Sequence, residues 1–99
     1  MKQMKFKIVT MISEPVLSNH LIEMIKSLGA TGFTISDVRG EGSGEKNSGE
    51  VPSEKVKIEV IVDDELAQEI MDTIAKEYFP NYSLIIYASD IQVIRQEKF

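Results

Sequence analysis

The chain has no cysteine and no tryptophan, a single histidine at His20, and 11 basic against 16 acidic residues, for a formal net charge of −5. Without cysteine there is no disulfide, thiolate nucleophile, Cys-ligated zinc or thiol redox switch, and the expected compartment is the cytoplasm. An acidic balance with no Lys/Arg cluster excludes general affinity for nucleic acid, because that affinity comes from neutralising phosphates. One histidine with no second ligand-type residue at metal spacing reads as an ordinary surface or half-buried side chain, and no metal site is expected. There is no run of 18 apolar residues, and Met1-Lys2-Gln3-Met4-Lys5 passes directly into an alternating pattern, so neither a membrane span nor a signal peptide is expected. An activated nucleophile and a carboxylate pair in an apolar setting are also missing, so no catalytic residue is assigned and the chain is read as not an enzyme.

Ninety-nine residues give one domain, 1–99, with room for one core. Met4 to Thr10 alternates until Ile8 and Val9, which predicts a strand whose end is buried on both sides. Ser13 as N-cap, Pro15 in the first turn, Leu17, Leu21, Met24, Ile25 and Leu28 at helical spacing, and Gly29 as the stop predict a helix. Gly32 to Val38 alternates again, with Phe33 and Ile35 on one face and Thr34, Ser36 and Val38 on the other. Val56, Ile58, Val60 and Val62 alternate with Lys55, Lys57, Glu59 and Ile61, and the two strands pair as a long hairpin. Asp63 or Asp64 caps a second helix that carries Leu66, Ala67, Ile70, Met71, Ile74, Ala75 and Tyr78 and stops at Pro80. The run Asp63-Asp64-Glu65 is what a helix macrodipole favours at its N-terminus, and is read as a cap rather than a cation site. Ser83 to Ala88 lacks alternation and predicts a strand buried on both faces.

The order strand-helix-strand-strand-helix-strand is the split βαβ arrangement of ferredoxin-like α+β domains, βαββαβ, an antiparallel four-stranded sheet with two helices on one face. Val9, Ile61, Ile85 and Tyr87 place apolar groups where the uncovered face falls. That face is expected to meet further copies of the chain, since a monomer rarely exposes a large apolar patch.

Between the hairpin strands lies Val38 to Pro52, VRGEGSGEKNSGEVP, much longer than the usual two to five residues of a hairpin loop and therefore functional or disordered. Gly40, Gly42 and Gly44 stand on alternate positions, where positive φ lets successive N–H groups face an anion, and Ser43, Arg39 and Lys46 add a hydroxyl and two cations. The spacing follows a strand but opens no helix, so it is neither a P-loop nor a dinucleotide fingerprint, and a plain glycine-rich hairpin tip is the competing reading.

Gly29 to Gly42, GATGFTISDVRGEG, with Val56 to Asp64, VKIEVIVDD, and Val93-Ile94-Arg95, resembles the PII signalling proteins from the entry of their T-loop to their C-terminal Val-Ile-Arg. The resemblance runs from about Phe6 to Arg95. It implies a homotrimer that binds adenine nucleotide (AMP, ADP, ATP or cyclic AMP) in clefts between subunits, and a T-loop, about residues 39–53, that regulates a partner such as a membrane transporter. Thr31, Gly40, Gly42 and Arg95 match positions that line the cleft, Ser43 takes a place that is often Arg, and Val9 with the Ile86-Tyr87 backbone matches the adenine wall. Glu41, also in this site, and Gly44 stand where basic residues are common. A short loop without the modifiable tyrosine, together with Tyr78-Phe79, Tyr82 and Ile85-Ile86-Tyr87, resembles the PII-like branch of inorganic-carbon metabolism, the SbtB and carboxysome-associated types. That branch implies bicarbonate as a second ligand, a transporter or carbon-metabolism partner, and peripheral attachment to the membrane when a transporter is bound. The alternative is a ferredoxin-like trimer without nucleotide, of the CutA-like metal-tolerance kind or a structural interaction module.

Overall fold

The computed structural model describes residues 5–42 and 53–99. Strand β1 (Phe6–Ser13) leads through a 3-10 turn (Pro15–Leu17) into helix α1 (Ser18–Leu28). Strands β2 (Thr34–Gly40) and β3 (Ser53–Asp63) form the hairpin, followed by helix α2 (Asp64–Glu77), strand β4 (Ile85–Ile91) and a second 3-10 turn (Gln96–Lys98). All neighbouring strands are antiparallel, in the order β2-β3-β1-β4. This is the ferredoxin-like arrangement expected from the sequence.

Register decides which side of each strand is covered. Val9 pairs with Val60 and Ala88, and Met11 with Ile58 and Ile86, so these residues share one face. The helices lie on that face: Val9, Met11 and Ile58 are wholly buried together with Leu21 and Ile25 of α1 and Ile70 and Ile74 of α2. The opposite face carries Ile8, Thr10 and Ile12 of β1 beside Ile61, Glu59 and Lys57 of β3 and Ser89, Tyr87 and Ile85 of β4. No helix covers it. Its Ile85 and Tyr87 are 52% and 47% exposed.

Three local expectations are corrected here. Val9 belongs to the covered face and not the open one, because it lies directly across from Val60 and an odd number of residues from Ile8 and Ile12. Ser83 to Ala88 is not buried on both faces: β4 starts at Ile85 and is an edge strand, bonded only to β1, with its open-face residues exposed. Ser13 does not cap α1. It ends β1, its hydroxyl donating to the Glu14 carbonyl, and the chain enters α1 through the 3-10 turn with no side-chain cap.

Other signals act where they were read. Gly29 ends α1 at φ +118°, the left-handed region, and its N–H donates to the carbonyls of Ile25 and Lys26. An added Cβ would meet only Leu66 Cδ2 at 3.9 Å, so glycine is needed here for its backbone and not for space. Asp63 caps α2, its carboxylate accepting from the Leu66 N–H at 2.8 Å. Asp64 and Glu65 follow in the first turn, where the helix dipole favours negative charge. Asp64 also meets Lys7 Nζ at 3.2 Å, and Lys7 donates to Asp90 at 2.6 Å, tying β1, α2 and β4 together at one end of the sheet.

Candidate nucleotide-binding site

Among the described residues, a cavity lies near each end of the open face. The first, about 440 Å³, lies where β2 and β3 run out toward the long connection, and Gly40, Glu41 and Gly42 form its rim. Across from them stand Ile12, Ile85 and Tyr87, Lys55 and Lys57 contribute cations, and Arg39 lines it from a strand position whose side chain alternates to the other face. Its acidic lining residue is Glu41, and Lys55 and Lys57 each have a carboxylate neighbour, Glu14 and Glu59. With the apolar wall the two lysines suit a ligand that is part flat and apolar, part anionic.

The sheet register explains the grouping. Val38 pairs with Lys55, Ser36 with Lys57 and Gly40 with Ser53, so the lysines that alternate with buried Val56 and Ile58 all emerge on the open face. Lys55 is only 7% exposed, and Glu14, in the link between β1 and the first 3-10 turn, accepts from its Nζ at 2.9 Å. Lys57 Nζ is 3.8 Å from Glu59 Oε1, a loose pair along one strand. Gly40 does not have the positive φ expected of it. It is the last extended residue of β2, and a Cβ there would meet nothing within 4 Å. Among the described residues, neither a turn nor packing demands glycine at this position.

The second cavity, about 250 Å³, lies toward the other end, lined by Ile8, Ile61, Thr34, Glu59, Gly32, Phe33 and Phe99. Ile8 and Ile12 mark the two ends on β1, about 13 Å apart at the rise of an extended strand.

Of the expected site residues, the first cavity gathers Gly40, Glu41, Gly42 and Tyr87, with Arg39, which was added on charge alone. Val9 is wholly buried under the helices, so its side chain does not line either cavity. Ile86 points the same way as Val9 and joins the core margin. Thr31 is on the far side, its Oγ1 donating to the Lys98 carbonyl, and Arg95 precedes the turn that carries Lys98. Within one chain these two do not meet Gly40. Ser43 lies outside the described residues, as do Gly44, Lys46 and the rest of 43–52. Lys55, Lys57, Ile12, Ser83 and Ile85 were not assigned from sequence, although the alternation Lys55-Val56-Lys57-Ile58 already put both lysines on one face. Among the described residues no three His, Asp or Glu side chains gather as metal ligands, and no helix is long and apolar enough to cross a membrane.

This fold and this open face have known counterparts. The family model for nitrogen regulatory protein P-II matches residues 6–98. The chain belongs to the P-II family. A crystal structure from Thermus thermophilus, named as PII-like and signalling, is 38% identical over 100% of this chain and 99% of its own, with a TM-score of 0.82. CPII from Thiomonas intermedia K12, bound to ADP, AMP and acetate, is 25% identical over 100% and 98% of the two chains, with a TM-score of 0.83. CPII bound to ADP and bicarbonate aligns at 24% identity over 96% and 94%, with a TM-score of 0.80, a likeness of fold. The chain is thus a PII-like signalling protein, which sets aside the CutA-like alternative.

Proposed function

We propose that the chain is a non-enzymatic sensor that binds an adenine nucleotide between copies of itself and reports the bound state to a partner through residues 39–53. The observation that carries this reading is the cavity at Gly40 to Gly42, where the end of β2, Lys55, Lys57 and the Ile12–Ile85–Tyr87 wall meet. Backbone N–H groups and ammonium groups are suited to phosphate oxygens, and the apolar wall to a base. CPII, bound to ADP and AMP, supports the same ligand class for this chain.

Two features favour a cleft between subunits. The face that carries both cavities exposes Ile85 and Tyr87 and is uncovered by the described helices, and in a single chain both cavities face solvent. Thr31 and Arg95, which the family resemblance places at the ligand, lie at the opposite end from Gly40 and Gly42, as they would if the two ends of different copies faced each other. A homotrimer satisfies this geometry with three equivalent clefts. We place the protein in the cytoplasm, with a transporter or carbon-metabolism protein as partner and bicarbonate as second ligand, on the strength of the Tyr78-Phe79, Tyr82 and Ile85-Ile86-Tyr87 resemblance.

Titration calorimetry with AMP, ADP, ATP and cyclic AMP tests the central claim. Heat of binding is expected for at least one of them, weakened in Lys57→Ala, and silence from all four at millimolar concentration overturns the reading. Repeating the ADP titration with and without bicarbonate tests the carbon assignment: an unchanged affinity removes bicarbonate from the proposal.

A further inference from the structure

The two lysines of the first cavity are held differently. Lys57 has a side chain 34% exposed and only a loose neighbour, Glu59 Oε1 at 3.8 Å. The Lys55 side chain is 8% exposed, and its Nζ donates to Glu14 Oε1 at 2.9 Å. Glu14 lies outside the described lining of the cavity and reaches the ammonium from the link between β1 and the first 3-10 turn. Its carbonyl accepts from the Leu17 N–H at 3.1 Å, the bond that closes the turn Pro15–Leu17, and from the Ser13 hydroxyl at 3.1 Å. Leu17 is buried, and α1 starts at the next residue. Glu14 therefore meets a cavity cation through its side chain and the entry to α1 through its backbone.

We infer, resting on the nucleotide reading and deepening it, that Glu14 is a positioning residue that acts through Lys55: it masks the ammonium in the ligand-free chain, a ligand anion displaces it, and its release loosens the turn Pro15–Leu17. An ammonium this buried needs a counter-charge. An anion at Gly40 to Gly42 supplies one, and two anions on one ammonium repel each other. The Glu14 side chain, 52% exposed, is the one that can turn to water at little cost. A 3-10 turn has poor intrinsic hydrogen-bond geometry, so the Leu17 N–H bond to the Glu14 carbonyl weakens once the side chain of Glu14 is no longer anchored. The entry to α1 then becomes a second segment, besides residues 39–53, that responds to bound ligand.

Glu14→Gln keeps the length of the side chain and removes its charge, and Lys55→Met removes the ammonium without stranding a buried charge. Both are measured in the full chain, with ADP titration and amide exchange at Leu17 as separate readouts. Lys55→Met is expected to weaken ADP binding about tenfold, the scale of one hydrogen bond to a charged group. Glu14→Gln is expected to tighten it about threefold to tenfold, and to change nothing when Lys55→Met is already present. In the wild type ADP should speed exchange at Leu17, and in Lys55→Met the exchange should be that fast without ligand. Weaker binding by Glu14→Gln overturns the inference by making Glu14 a support for Lys55. Tightening that persists beside Lys55→Met overturns it by making the gain one of overall charge. Exchange at Leu17 that ADP slows or leaves unchanged overturns the release, and does so even where Glu14→Gln fails to fold. If the wild type binds no adenine nucleotide, the function proposed above falls, while the same exchange measured with inorganic phosphate still decides whether an anion displaces Glu14.

Discussion

The two faces of the sheet are made by the same strands, one residue out of step, and they hold opposite kinds of surface. On the covered face Val9, Met11, Ile58 and Val60 are at most 1% exposed beneath α1 and α2. On the open face Ile85 and Tyr87 are about half exposed, and Lys57 and Glu59 stand among them. A side chain's role here follows from parity along the strand more than from its own hydrophobicity: Ile86 joins the core margin, whereas Ile85 lines a cavity. Stability of the single chain should therefore belong to one face, and assembly and ligand binding to the other.

The strongest way to break that division is a pair of substitutions. Ile70→Ala, in the wholly buried cluster, should destabilise by about 2 to 5 kcal/mol in chemical denaturation followed by circular dichroism. Ile85→Lys should preserve the circular dichroism spectrum of the fold, yet put an unpaired charge into the open face and abolish self-association. Light scattering checks the second half, and a wild type that scatters as one chain at every concentration would remove assembly from the open face. Asp63→Ala, which takes the acceptor from the Leu66 N–H at the start of α2, should lower stability by about 1 kcal/mol and leave nucleotide affinity alone.

Gly40→Ala gives a finer test. A Cβ there meets nothing among the described residues and the backbone is extended, so stability should change by less than about 0.5 kcal/mol. If a ligand approaches that backbone, affinity should fall all the same. Equal affinity would show that residue 40 is only the end of a strand. The smallest effect is expected from the Lys7–Asp90 pair. Lys7 holds the Asp90 carboxyl below its ordinary value, chiefly through their hydrogen bond, and that bond, with a second one to Asp64, raises Lys7. The Asp90 contribution is present above the ordinary carboxylate pKa and is lost as pH falls through the depressed one. The Lys7 contribution is present below the ordinary lysine pKa and is lost as pH rises through the raised one. With the Asp90 side chain 88% exposed, Asp90→Asn should slightly flatten the acid limb of a stability–pH curve and shift nothing near neutrality.

The sequence by itself determined the elements and their order. Alternation in Val56 to Val62 has only one meaning in a half-covered sheet, and a glycine after an apolar helical stripe, or an aspartate before one, acts through the nearest backbone groups, as Gly29 and Asp63 do. It also located the cavity rim at Gly40 to Gly42, because the entry to a long connection is local information. What depended on partners far along the chain was decided by tertiary structure. An apolar run such as Ser83 to Ala88 looks the same in a central strand and at an edge, and only the order β2-β3-β1-β4 makes β4 an edge strand with an exposed side. Val9 fell on the covered face by register with Val60. Lys55 and Lys57 became cavity residues because β3 packs beside β1 and β4 brings Ile85 and Tyr87 opposite. The Thr31 hydroxyl met the Lys98 carbonyl 67 positions away. Local backbone preferences can be read one window at a time, whereas which surface a side chain faces depends on pairings between distant segments, and those exist only once the sheet has closed.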